Sequence, residues 1–443
     1  MGKKMTSTTD SKLTWKFPRE FWSANLIELF ERAAYYGMFI ALTLFLTRNV
    51  GFTDIETGWI VAVFAATLYL APTFTGALAD KLGFRNGLII AFSLLTIGYA
   101  LLGAMPQKAM SLVSLFLIMI GGSFVKPIIS GTVAKCSDET NRARAYSIFY
   151  QIVNIGAFLG KTIAKPLRTS LGLEYINFYA ASMALCALIV VLVLYKNVDS
   201  TGEGKSFSKV LNGLLRVVSN IRFMVLILIV AGFWAIQGQL YATMPKYTLR
   251  LIGEQAAPEW LANINPFVVV LFVVLITHLV RKMKPVSSIA IGLAIIPLSA
   301  LSVALSPVLT QFTGNSVNFG FFSLHPITVM LVIGIALQGL AECFLSPRFL
   351  EYASMQAPKG EEGLYLGYSH LTTFFAWLFG FASSGYLLDR YCPDPKTLNP
   401  TQLAHAYDHA HYIWYFFAVI GVTAFLAILI FQWVTNRIDS QKA

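Results

Sequence analysis

Residues 28–37 read ELFERAAYYG, and they sit inside an apolar run that extends from Phe21 to Leu46. A run of that length and character is a membrane-spanning helix. A charge at the centre of such a helix costs roughly 2.5–3.5 kcal/mol on insertion scales. Glu28, Glu31 and Arg32 therefore face one another, other helices or a wet cavity. On a helix Glu28 and Arg32 are four apart and share a face, which Tyr35 and Phe39 continue while Glu31 leans to its edge. A simple ion pair turned into a helix bundle accounts for Glu28 with Arg32 but leaves Glu31 without a purpose. A proton and substrate site, in which each carboxylate's charge depends on the nearness of Arg32, accounts for all three.

Working outward, the whole chain shares this character. Of its 443 residues 56% are hydrophobic and 12% charged, and the mean hydropathy is +0.65. These values and apolar runs of about twenty residues imply an all-α, multi-pass membrane protein. No ten-residue alternating pattern points to a β-barrel. The polar opening MGKKMTSTTDSKLTW lacks the apolar core of a secretory signal, so no cleavable leader is expected. The net charge of +11 reflects basic loops on one side of a membrane, and nucleic acid is not expected as a partner. Cys136, Cys186, Cys343 and Cys392 have no CxxC spacing and read as unpaired thiols.

About twelve spans are expected, near 21–47, 56–79, 86–105, 110–134, 144–166, 174–195, 220–245, 263–281, 286–307, 326–355, 363–388 and 407–434. The loop cations alternate. Lys3, Lys4, Lys81, Arg85, Lys135, Arg142, Arg144, Arg281, Lys282, Lys284, Lys359, Arg437 and Lys442 fall on one side, which puts both termini in the cytoplasm. Residues 197–218, NVDSTGEGKSFSKVLNGLLRVV, interrupt the apolar rhythm as a polar linker with an amphipathic end. The expected division is a six-helix bundle over 1–196, the linker, and a second bundle over 219–443. The parts echo each other: Pro127 and Pro347 stand 220 residues apart, as do Gly160 and Gly380. Such repetition marks a transporter built from repeats, with its site between them near the midplane.

Between the second and third spans lies GALADKLGFRNG, residues 76–87. Gly76, Leu78, Asp80, Gly83 and Arg85 resemble the GxLaDxxGrk signature of the major facilitator superfamily. Gly76 permits close packing, Gly83 a tight turn, and Asp80 can bind a helix end or Arg85. That motif implies a conformational role.

The opening stretch also resembles a known signature. Glu28-x-x-Glu31-Arg32 followed by Tyr35-Tyr36-Gly37 is similar to the ExxER…YYG motif of the proton-dependent oligopeptide transporter (POT) family. Lys126-Pro127-Ile128-Ile129-Ser130 resembles its KPNIS segment, with Ile128 replacing Asn. Tyr146 to Tyr150 with Asn154 to Leu159 resembles its FSIFY…NLGAF run, and Glu342 with Ser346 and Pro347 its GE…SP segment. The resemblance implies a major facilitator fold and proton-coupled symport of small peptides or peptide-like zwitterions, with protons as the coupling ion and no cofactor. It implies that Glu28, Glu31 and Arg32 couple protons to movement. Lys126 would take the substrate's negative end and Glu342 its amino end. Tyr35, Tyr36, Asn154 and Trp234 would line the pocket, and Gln237 and Ser346 are taken as further candidate substrate contacts.

The departures from that pattern are specific. Peptide-carrying members place a second basic residue seven positions after the first-span Arg, where this chain has Phe39. The seventh span commonly supplies an acidic partner for the fourth-span lysine, where this chain offers Gln237, Gly238 and Gln239. The linker leaves no room for the two extra helices of many bacterial members. A transporter or exchanger of a non-peptide organic anion is therefore carried as a second reading, and a non-transporting sensor on the same fold as a third.

Lys161, Lys165 and Arg168 continue the stripe from Tyr150 and Asn154 at near-helical spacing. They read either as snorkelling cations or as a basic vestibule for an anionic substrate. Arg348 reads either as a partner of Glu351 or as an anion contact. His405, Asp408, His409 and His411 read as a polar helix start rather than a zinc site, and no metal is expected. No nucleophile–base constellation suggests an enzyme. The chain is expected to be a monomer in the bacterial inner membrane.

Overall fold

A computed structural model describes residues 16–138, 141–196, 207–358 and 362–442. Lys3, Lys4, Lys359 and linker residues 197–206 lie outside the described residues. Among the described residues ten helices are long and apolar enough to cross a bilayer, and the pair Asp54–Leu70 with Pro72–Leu82 makes an eleventh, bent by 51°. The fifth span, Arg142–Ser170, is 29 residues long, about 44 Å at 1.5 Å per residue. Its cationic stripe keeps it out of the apolar class, so twelve helices span the membrane.

Local sequence explains the boundaries. The first span, Arg19–Arg48, ends at Asn49, and Gly51 turns the chain with φ 83°. Thr53 and Glu56 form a reciprocal capping box that starts the second span. That span bends where Pro72 lacks an amide donor and its ring crowds the preceding turn. Gly83, also at φ 83°, separates it from the third span, Phe84–Ala104. Arg85 then donates from Nε to the Tyr195 carbonyl (3.2 Å) and from Nη2 to the Leu192 carbonyl (3.0 Å). The motif at 76–87 thereby ties the third span to the end of the sixth, Leu173–Val193.

The fourth span is Lys108–Lys135. The described end of the linker, Phe207–Val218, is a helix whose Val210 carbonyl accepts from Tyr368 Oη at 2.7 Å. The seventh span departs from the single run expected over 220–245. It forms Ile221–Gln237, Gln239–Ala242 and Met244–Ile252, breaking at Gly238 and Thr243, with Pro245 opening the last piece. The eighth to tenth spans are Ile264–Val280, Pro285–Ala304 and Pro326–Met355. The eleventh is broken into Glu362–Tyr368 and Leu371–Tyr391. The twelfth, Tyr412–Lys442, starts five residues later than expected because 405–411 is turn.

Spans one, three, four, five and six pack among themselves, as do spans seven to ten and twelve. Spans two and eleven cross between these groups: a Cβ on Gly58 would lie 2.8 Å from the Phe381 carbonyl. The echo at 220 residues has a packing counterpart. Gly160 of the fifth span lies against Ala33 and Gly37 of the first, and Gly380 of the eleventh against Ala235 and Gln239 of the seventh. Pro127 and Pro347 each sit inside a long helix. Alternation of the spans places Arg19, Gly83, Lys135 and Arg142 at one membrane face, the near face. Arg48, Asp54, Arg168, Arg250 and Cys392 lie at the other, the far face.

Candidate substrate and proton site

The charges of the first span meet as their spacing requires. Arg32 Nε lies 3.2 Å from Glu28 Oε1, and its guanidinium also pairs with Glu31. Both carboxylates are buried, and Glu28 Oε2 has no hydrogen-bond partner. The Arg32 Cζ stands 5.5 Å from the Tyr35 ring centroid and 5.9 Å from that of Tyr36. Low surrounding dielectric makes this cluster sensitive to any added or removed charge.

Lys126 enters from the fourth span. Its ammonium lies 5.4 Å from the Tyr69 ring centroid and interacts electrostatically with Arg32, Glu28 and Glu31. Among the described residues it forms no salt bridge. Glu31, Arg32, Tyr35, Tyr69, Tyr99 and Lys126 line a small cavity of about 40 Å³. Glu342 approaches from the tenth span. Its Oε2 accepts from Asn265 Nδ2 at 3.3 Å. It is close enough to act electrostatically on Tyr36, Tyr69, Tyr150 and Tyr241. Lys126 of the fourth span and Glu342 of the tenth thus both act on Tyr69, and among the described residues neither forms a salt bridge.

The other expected residues divide. Tyr35 and Tyr36 lie at the cluster. Asn154 is turned back on its own helix, donating to the Tyr150 carbonyl at 2.8 Å. Trp234 is half-buried, edge-on to Phe233. Gln237 is buried, and the Ser346 hydroxyl is an enclosed group with no partner. Arg348 pairs with Glu351 at 2.5 Å and donates to the Met283 carbonyl, the structural alternative of its two readings. Lys161 donates to the Ala262 carbonyl at 3.1 Å and lies 5.7 Å from the Tyr36 ring centroid. Lys165 lies over Trp260 at 4.4 Å and donates to the Gln255 carbonyl at 3.4 Å. Lys161 is fully buried, whereas Lys165 is partly exposed at the far end of the fifth span.

Two features went unread in the sequence. The first is an aromatic cluster around Phe39, which stacks on Trp377 (5.4 Å) and Tyr35 (5.1 Å) and contacts Tyr241 (5.1 Å) and Phe381 (5.8 Å). It fills the place where a second cation was expected. The second is a belt of charge at the far face, buried at Asp54, Lys246, Arg250, Arg168 and Glu259. Asp54 accepts from Lys246 Nζ at 2.6 Å and from Arg250 at 2.8 and 3.1 Å. Arg168 pairs with Glu259 at 2.5 Å and Glu254 at 3.2 Å, and Arg48 with Glu254 at 2.8 Å. Lys246 and Arg250, four apart in the apolar MPKYTLR stretch, were the available signal. Lys126, Tyr150 and His370, by contrast, are exposed.

The fold and these charges have counterparts in known proteins. The Major Facilitator Superfamily profile matches residues 25–317 and 312–443. The chain is 23% identical to the dipeptide and tripeptide permease B of Shigella dysenteriae serotype 1, over 96% of this chain and 97% of the relative. It is also 23% identical to the multidrug resistance protein MdtH of Salmonella arizonae, over 88% and 89%. Among solved structures, the POT family transporter PepTSo superposes with a TM-score of 0.74 at 18% identity, covering 95% of this chain and 99% of that one. A POT family transporter in complex with 5-aminolevulinic acid gives 0.73 at 20% identity, covering 95% and 97%. The profile spans nearly all of the chain, and this multi-pass membrane protein belongs to the Major Facilitator Superfamily.

Proposed function

We propose that the protein carries small peptides or peptide-like zwitterions across the membrane by proton-coupled symport. The observation that carries this reading is the placement of Lys126 and Glu342 about Tyr69: opposite charges that, among the described residues, form no salt bridge. A zwitterion offers the complementary charge to each, and the low dielectric strengthens both contacts. Glu28, Glu31 and Arg32 act as the proton switch. Protonating a carboxylate weakens its hold on Arg32, and the released guanidinium redistributes its bonds. Tyr35, Tyr36, Trp234, Gln237 and Ser346 shape the pocket. The permease relatives agree with this substrate class.

In this reading residues 1–196 and 219–443 form two bundles that rock about the site, joined by the linker 197–218. The near face is cytoplasmic, in line with the basic loops, and the far-face belt closes the outside. The protein works as a monomer in the bacterial inner membrane, with no catalytic residue, metal or cofactor. The test is uptake of labelled dialanine into liposomes under an imposed inward proton gradient. Accumulation in the wild type, lost in Lys126→Gln and Glu342→Gln, is expected. Wild-type liposomes that take up no dialanine contradict the reading.

A second reading, transport or exchange of a non-peptide organic anion, is favoured by Phe39 and Gln237 in place of charged groups. The similarity to MdtH, a multidrug resistance protein, agrees with a substrate other than a peptide. Competition of dialanine uptake by carboxylated metabolites separates the two.

A further inference from the structure

We propose that Lys161 makes the site selective for substrates with a second negative group, specifically dipeptides bearing an acidic side chain. The proposal rests on the zwitterion reading above and names the substrate class within it.

Lys161 is 1% exposed. Its ammonium has three donors, and among the described residues the one acceptor within hydrogen-bond distance is the neutral Ala262 carbonyl at 3.1 Å. Among the described residues no carboxylate lies within salt-bridge distance of it. A buried ammonium held by one neutral acceptor is electrostatically incomplete. Its place relative to the site is fixed by Tyr36. That ring lies 5.7 Å from Lys161 Nζ and 5.9 Å from Arg32 Cζ, and it feels the charge of Glu342. Of the three cations on this stripe, Lys165 and Arg168 are committed to the segment before the eighth span. Lys161 is the one that reaches the phenols.

A buried ammonium with one neutral acceptor gains most from a carboxylate brought to it, and a neutral side chain offers none. In an acidic dipeptide the terminal carboxylate goes to Lys126, the amine to Glu342, and the side-chain carboxylate to Lys161. Lys161 is bound to Ala262 across the far-face seam, so parting of that seam frees it for the ligand.

The experiment is competition for labelled dialanine uptake in liposomes by Ala-Glu and its neutral isostere Ala-Gln. In the wild type Ala-Glu competes at about tenfold lower concentration, the low end for one charge-assisted hydrogen bond. In Lys161→Gln the preference disappears while the potency of Ala-Gln is unchanged, and in Lys161→Arg it returns. The Arg variant, with a monodisperse size-exclusion profile for both, separates lost charge from lost fold. Equal potency of the two dipeptides in the wild type overturns the proposal, as does a preference that survives in Lys161→Gln. If dialanine is not taken up, the zwitterion reading itself fails and this proposal falls with it. Uptake of dialanine with no acidic preference overturns the proposal alone.

Discussion

Asp54 and Lys246 meet across the far face at 2.6 Å, their side chains 3% and 2% exposed. Arg250 joins them, so two cations converge on one carboxylate, with the Cys392 carbonyl accepting from Arg250 at 2.5 Å. Removing one partner of a buried ion pair typically costs about 3–5 kcal/mol. That cost falls on the far-face-closed arrangement, where the pair exists. Asp54→Asn is therefore expected to open the far face. Cys392, buried beside Arg250, is the native reporter. With Cys136, Cys186 and Cys343 replaced, its labelling by a membrane-impermeant maleimide should speed by about tenfold or more. An unchanged rate would show that the belt does not hold the seam.

Glu31→Gln tests the proton switch separately from binding. The substitution keeps the shape of the side chain and a hydrogen bond to Arg32 but removes the titrating charge. Accumulation driven by a proton gradient should be lost, while exchange of labelled for unlabelled dialanine at equal pH persists. Gradient-driven accumulation at the wild-type level would remove Glu31 from the coupling role.

The first-span cluster was legible because charge stands out in an apolar helix. Glu28, Glu31, Arg32, Lys126 and Glu342 could each be picked from the residues alone, and the twelve-span fold followed from run lengths. The far-face belt was not legible for the opposite reason. Asp54 looks like an ordinary acidic helix start, and Lys246 and Arg250 fall just past the expected end of the seventh span. Phe39, Trp377 and Tyr241 could not be told from residues packed in a bundle or turned to lipid, since apolar periodicity says little when every side is apolar. The stripe of Lys161, Lys165 and Arg168 was visible, but its acceptors at 254–262 come from distant sequence. The expectation for Asp80 and Arg85 was half informative: Arg85 is committed to sixth-span carbonyls.

Phe39 holds the aromatic cluster between the ion cluster and the far-face seam. Its ring stacks on Trp377 with planes 11° apart. Truncating a buried Phe costs about 3–5 kcal/mol. Phe39→Ala should lower the thermal midpoint of the purified protein clearly, and Phe39→Leu by less. Equal midpoints for Phe39→Ala and the wild type would mean that these rings contribute nothing to the closed arrangement.

The repeat-related glycines differ in tolerance. A Cβ on Gly160 would collide with the Ala33 carbonyl and lie 2.9 Å from the Gly37 nitrogen, whereas one on Gly380 would lie 3.2 Å from the Ala235 carbonyl. Overpacking a tight contact costs about 1–3 kcal/mol. Gly160→Ala should destabilise the protein more than Gly380→Ala in parallel thermal unfolding. The reverse order would contradict the packing of the first and fifth spans described here.

Glu342 is assigned to the amino end of the substrate, and that assignment is best tested by deleting each partner in turn. The measurement is the Kd of dialanine and N-acetyl-dialanine for the wild type and Glu342→Gln, by calorimetry on purified protein. Acetylation should weaken binding to the wild type by about tenfold or more, the loss of a charge-assisted contact. In Glu342→Gln acetylation should cost almost nothing further, because the carboxylate that reads the amine is gone. An equal penalty in both proteins would contradict a zwitterion held between Lys126 and Glu342.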